Sequence, residues 1–340
     1  MSHALHLVAP RVSVVPQVQW FRLGAGTIGL KSADRALTDR FEEIYGGCAV
    51  EAPTDGPVVI CRVAESVDGV VRITFDDPSP LDVASFVNAV FPDRGYAAVA
   101  AADGAVIIGL PGSADVVRFD RDGFHAPARS AWQPLIANLA VSRLIRLQQD
   151  VTFFHAASMK VGAHGILACG PKRSGKTTLA LALAARGHAL LGDEMAAVHL
   201  ASRSLLPVRR SLATREGPHS TRAAVLLAAN APKTERFPDG EFRQRHQVRD
   251  VSPLAPPLRT PLTTLLILRT MGPVTSIRPA EIGPALLSAV TPLAASLWDR
   301  PAGLMAVRLM RLLSTIRVFE VDAGPPDEFA DRVEDLMEDG

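Results

Sequence analysis

From about residue 10 to 128 the chain alternates short apolar or every-other-residue runs with turn residues. VVICRVAE, VVRITFDD, GAVIIGLPG and DVVRFDRDGF read as strands punctuated by glycine and aspartate. Two helices interrupt them. One runs from Ser32 to Tyr45, with Leu37, Phe41 and Ile44 on one face, and the other from about Leu81 to Val90 ahead of Pro92. A longer helix, about Ala131 to Gln149, places Trp132, Leu135, Leu139, Leu144 and Leu147 near helical spacing and links this region to the next. Beyond it the element types alternate. FFHAASMKV and GILAC read as strands, Lys176 to Arg186 as a helix, and HALLGD and AAVHLA as further strands. LTTLLILR and RVFEVD are two more strands, and helices are expected after Pro279, from about Leu293 to Leu313, and from Asp327 to Met337. This is the pattern of an α/β domain behind a mostly-β α+β region, with a division at 1–128 and 129–340. Pro232 to Pro261 is polar, charged and aperiodic, and reads as one long loop.

Composition narrows the class. The chain has 340 residues, 48% apolar and 21% charged, enough for a real core in roughly two domains. A formal charge of +1 supplies no long-range field for a polyanion, so nucleic acid is not an expected partner. No apolar stretch reaches the roughly 18 residues of a membrane span, and the start of the chain lacks a secretory pattern. Cys48, Cys61 and Cys169 fit neither a metal spacing nor a paired disulfide framework, which favours a reducing, cytoplasmic setting.

The segment Gly170-Pro171-Lys172-Arg173-Ser174-Gly175-Lys176-Thr177 fits the phosphate-loop pattern G-x-x-x-x-G-K-[ST] between an apolar strand and an apolar helix. Its glycines let backbone N–H groups turn toward a phosphate. The helix start, from Lys176 through Thr177 and Thr178, adds positive potential. Lys176 would reach the β- and γ-phosphates of ATP and the Thr177 hydroxyl would ligate Mg2+. Lys172 and Arg173 either add phosphate contacts or are solvated cations at a loop tip. One helix and one returning strand later come Asp193 and Glu194. One acid can hold magnesium while the other accepts a proton from an attacking hydroxyl; alone, the pair reads equally as a turn or helix cap. His155, in FFHAAS, reads by itself as a core histidine.

Taken together, His155 to Glu194 resemble the catalytic core of the HPr kinase/phosphorylase superfamily. These are serine kinases whose nucleotide domain is similar to that of phosphoenolpyruvate carboxykinase. The resemblance implies a phosphoenolpyruvate carboxykinase-like P-loop fold, Asp193 as acid/base, Glu194 as the second acid near magnesium, and His155 near the phosphates. Thr178 stands where the family has an acid, Glu194 where it has aspartate, and the glycine-rich downstream signature is absent. The chain therefore looks more like the diverged HPr kinase-like proteins of bacterial gene clusters, some of them similar to precursor-peptide kinases.

Further on, Arg209, Arg210 and Arg215 either neutralise a transferred phosphoryl group or form a solvated basic turn. Arg243, Arg245, His246 and Arg249 read as solvated loop residues or as a substrate lid. The expected function is an ATP- and Mg2+-dependent kinase acting on a hydroxyl, serine of a peptide or protein; the sequence does not set its oligomeric state, and a homo-oligomer enters only through the resemblance, since relatives of HPr kinase often assemble. The competing expectations are a small-molecule kinase of the same fold and a non-catalytic nucleotide-binding module that recognises a peptide.

Overall fold

The computed structural model describes residues 17–64, 66–77, 97–109, 116–120, 123–127, 133–215, 233–236, 242–294 and 302–338. They form a mixed α/β structure with two nine-stranded sheets and a small three-stranded one.

The first sheet comprises β1 (Gln19–Leu23), β2 (Gly26–Ser32), β3 (Ala49–Val50), β4 (Val58–Val63), β5 (Val70–Phe75), β6 (Ala97–Ala100), β7 (Val106–Gly109), β8 (Val116–Phe119) and β9 (Gly123–Pro127). Its order is β3-β1-β2-β4-β5-β9-β8-β7-β6, and β2 and β4 pair in parallel. The crossover between them carries α1 (Arg35–Tyr45), started by Asp34, whose carboxylate accepts from the Leu37 N–H at 3.0 Å. As the periodicity requires, Leu37, Phe41 and Ile44 are buried, and Tyr45 joins them. Helix α2 (Gln133–Leu147) lies against β2 and β4 and shares their core. That core runs on without a break into Val151, Phe153, Ala197, Leu206 and Val208 of the next region. The ion pair of Arg143 on α2 with Asp77, 2.6 Å and almost fully buried, ties the two together. The helix expected at Leu81 to Val90 lies outside the described residues.

The second sheet contains β10 (Val151–Phe154), β11 (Ala156–Val161), β12 (His164–Cys169), β13 (Ala189–Gly192), β14 (Ala196–His199) and β15 (Ser204–Leu206). Helix α3 (Lys176–Ala185) intervenes between β12 and β13. The small sheet, ordered β16-β18-β17, consists of β16 (Leu212–Arg215), β17 (Lys233–Arg236) and β18 (Phe242–His246), followed by α4 (Val248–Val251). The long loop expected from Pro232 to Pro261 is thus corrected: β17 and β18 pair antiparallel, with Glu235 opposite Arg243 in the backbone register, although neither segment shows apolar alternation. The large sheet is completed by β19 (Thr260–Met271), β20 (Ser276–Pro279) and β21 (Arg317–Ala323), with helices α5 (Pro284–Val290), α6 (Ala302–Leu313) and α7 (Pro326–Glu338).

Its main path is β10-β14-β15-β19-β12-β11-β13, with β21 beside β19. Strand β19 runs parallel to both β12 and β21. Leu266 and Leu268 point into one core with Leu179, Leu183, Phe329 and Val333. Leu265 and Ile267 point into another with Leu286, Val290, Met305 and Leu309. Burial on both faces is why this strand is an unbroken apolar run instead of an alternating one. The helix expected from Leu293 to Leu313 is observed as α6 from Ala302, residues 295–301 lying outside the description; Thr291–Leu293 form a short 3₁₀ turn. Among the described residues no helix is long and apolar enough to cross a membrane.

Candidate active site

Strand β11 is antiparallel to both β12 and β13, so β12 and β13 run the same way and end at the same sheet edge, where β11 begins. That single arrangement gathers the phosphate loop after Cys169, the acids after Gly192, and His155 just before Ala156.

The loop turns tightly. A side chain at Gly170 would bring its Cβ within 2.6 Å of the Leu268 carbonyl oxygen, and Gly175 adopts φ +97° at the cap of α3. Arg173 also has positive φ, at 70°, on the exposed tip with Lys172. Helix α3 has no side-chain cap, which leaves its first N–H groups available to an anion. Lys176 is buried, and its Nζ donates to the carbonyls of Gly170 and Pro171, each at 2.9 Å. Burial pushes its pKa below the ordinary lysine range, against the opposing pull of Asp193. The Ser174 hydroxyl, buried beneath the loop, has no partner among the described residues.

Asp193 is 1% exposed, accepts a 2.8 Å hydrogen bond from Thr177 Oγ1 on its Oδ2, and has no partner for Oδ1. Burial, and then the charge of Glu194, raise its pKa to about 6. Glu194 has φ +57°, a conformation uncommon for a residue with a side chain. This places a bend directly after the acid, where the chain leaves β13 for β14. Gly192 permits the bend's close approach, since a Cβ there would lie 2.6 Å from the Met195 carbonyl oxygen. His155 occupies the matching corner between β10 and β11. Its ring meets the Glu194 carbonyl at 3.2 Å through Nδ1, which must donate because a carbonyl only accepts; in the neutral ring Nε2 then carries the lone pair. Cys169 borders the loop, but burial pushes its thiol up to about 12, so it offers no nucleophile.

The neighbouring arginines part company. Val208 N donates to Leu191 O at 2.8 Å, so residues 208–210 run beside the end of β13. Arg210 turns into the site, its Nη2 3.5 Å from Glu194 Oε2. Arg209 turns away and donates to the carbonyls of Ser252 and Leu254. Arg215 and Arg243 pair across β16 and β18, and Arg245 donates to Ser211 Oγ while His246 contacts Thr214 Oγ1. Tyr45, which nothing in the sequence singled out, stands beside Arg210 with the guanidinium carbon 5.9 Å from its ring centre.

Among the described residues no three His, Cys, Asp or Glu side chains gather as a metal set. The donors present fit a magnesium nucleotide all the same. Thr177 and Glu194 carry oxygen atoms of the hard kind magnesium takes, Asp193 adjoins both, and phosphate oxygens ordinarily complete such a sphere.

No protein-family model matches the chain, and no curated protein matches it. Among solved structures it is similar to the Hpr(Ser) kinase/phosphatase from Coxiella burnetii, with 13% identity and a TM-score of 0.26, over 55% of this chain and 88% of that one. A likeness that loose decides neither fold nor activity.

Proposed function

We propose that this protein is an ATP- and Mg2+-dependent kinase that transfers the γ-phosphoryl group to a hydroxyl, serine of a peptide or protein. The observation that carries the reading is the 2.8 Å link between Thr177 on the phosphate loop and the buried Asp193. On this reading it would set a proton acceptor at the mouth of a phosphate cradle, as direct transfer to a hydroxyl requires. Bound magnesium would neutralise charge on the phosphates. Thr177 and Glu194 would hold the metal, and Lys176 would exchange its two carbonyls for phosphate oxygens. Asp193 would take the proton of the acceptor hydroxyl, and His155, with Nε2 free, would stand at the rim.

All of these residues lie in 129–340, which we assign as a phosphoenolpyruvate carboxykinase-like nucleotide domain of the HPr kinase-like kind. The region 1–128 would recognise the substrate. The site of action would be the reducing cytoplasm, where three buried free cysteines are at no risk of oxidation to disulfides.

The test is calorimetric titration with MgATP, followed by transfer of labelled γ-phosphate to serine-containing peptides. Binding with transfer to a hydroxyl is the expected result. Binding with no transfer to peptides or small hydroxyl compounds would leave a nucleotide-binding module instead, and no binding at all would remove the reading.

A further inference from the structure

We infer that Tyr45, the last residue of α1 in the N-terminal region, is a positioning residue for phosphoryl transfer, holding the Arg210 guanidinium against the acids of the site. The inference rests on the kinase reading above and adds a part to it from the N-terminal region.

Arginine is a long side chain, and the 3.5 Å contact from Nη2 to Glu194 fixes only the far end of one that is 16% exposed. Its Nε is buried and has no partner among the described residues, so hydrogen bonding does not fix that end. The face of the Tyr45 ring, 5.9 Å from the guanidinium carbon, is the second point of contact, and an aromatic face attracts a cation at that range. Tyr45 can do this because it does not move. It is 1% exposed and packed at 5.6 Å against Phe41, itself 5.6 Å from Phe21.

The backbone around the pair is fastened as well. Ser211 N donates to the Ile44 carbonyl at 2.7 Å, and Gln247 Nε2 donates to the Glu43 carbonyl at 2.8 Å. Gly47 meets the carbonyl of Arg209 so closely that a Cβ would sit 2.3 Å from its oxygen. The end of α1 and residues 209–211 therefore form one fixed corner, and Arg210 reaches from it to Glu194. Tyr45 never touches phosphate or acceptor in this arrangement; it acts through Arg210.

The experiment measures MgATP turnover to ADP by the full chain, with water in place of the acceptor hydroxyl, for Tyr45→Leu, Tyr45→Phe, Phe41→Leu, Arg210→Ala and the Tyr45→Leu/Arg210→Ala double variant. Tyr45→Leu should lower kcat by about 3- to 30-fold while KM for ATP stays within about twofold, the size expected from a lost cation–ring contact. Tyr45→Phe keeps the ring face and should restore the rate. In the Arg210→Ala background, Tyr45→Leu should change nothing further. Equal loss with and without Arg210 would make Tyr45 an ordinary core residue and overturn the inference alone, as would a loss in Phe41→Leu larger than that in Tyr45→Leu, since Phe41 can act on the site only through Tyr45. A wild-type chain that turned over no MgATP, with water or with serine-containing peptides as acceptor, would overturn the kinase reading and this inference with it.

Discussion

Thr177 and Asp193 are joined by a 2.8 Å hydrogen bond that bridges the start of α3 and the end of β13. The bond satisfies only Oδ2; Oδ1 of the same carboxylate is buried and unpartnered among the described residues. Asp193 is therefore an acid kept reluctant to ionise by its surroundings, with burial the larger cause and Glu194 the second. Such a group is poised to accept a proton near neutral pH.

Replacing Asp193 by asparagine keeps the acceptor for Thr177 and removes the base. Transfer should fall by about 10²- to 10⁴-fold, the usual worth of a positioned base, with ATP affinity little changed. Labelled-phosphate transfer and calorimetry on the same preparation check both halves. Undiminished transfer would take Asp193 out of the chemistry.

The same acid should show itself in stability. Its folded pKa of about 6 lies above the ordinary 3.8, so between those values the folded protein binds more protons than the unfolded chain. The contribution is fully present below about pH 4 and is lost as pH rises through about 6. Asp193→Asn should thus match wild type in acid and exceed it by about 3 kcal/mol at pH 7 to 8. Urea unfolding across that range reads it, and a constant difference would contradict the raised pKa. In wild type, kcat/KM should rise with pH up to about 6 and then level, as a base that must be ionised requires.

Lys176 rests on two carbonyls of its own loop. Lys176→Ala should cost about 2 to 3 kcal/mol in MgATP binding, roughly a hundredfold in affinity, because a charge-assisted phosphate contact disappears. Fold stability should fall as well, by about 1 to 3 kcal/mol, since the Gly170 carbonyl it leaves behind is buried. Equal titrations of variant and wild type would exclude the loop as the phosphate site.

Arg143 and Asp77 are 6% and 1% exposed in their side chains, deep in the core shared by α2 and the first sheet. Removing one member strands the other, so Arg143→Ala should destabilise by about 3 to 5 kcal/mol in denaturant unfolding, whereas Arg143→Met with Asp77→Leu should recover much of the loss. A single variant as stable as wild type would mean that water reaches the pair.

The phosphate loop was legible because its geometry accepts few residues: Gly170 and Gly175 are set by close approach and by φ, and Lys176 and Thr177 by chemistry. Asp193 and Glu194 could be placed because the apolar run before them announces a strand that must return to the loop. Arg209 and Arg210 mark the limit. Along an extended segment successive side chains face opposite ways, and which one enters the site depends on the parity fixed by the pairing of Val208 with the end of β13. No local pattern records that parity. Tyr45 was equally invisible, since a buried aromatic at the end of an amphipathic helix reads as core whatever lies beyond it. Strands β17 and β18 escaped because KTER and FRQRH carry no period-two apolar signal.

The parallel pairing of β12 with β19 joins residues that a ribosome makes far apart in time. Gly165 to Cys169 wait for Leu262 to Ile267, about a hundred residues later in the chain. Until then the strand leading into the phosphate loop lacks its parallel neighbour, although β11 and α3 are close by in sequence. The nascent chain therefore carries a nucleotide loop with no floor beneath it, and stop mutations placed before residue 260 should yield insoluble or rapidly degraded products that contain every phosphate-site residue and bind no nucleotide.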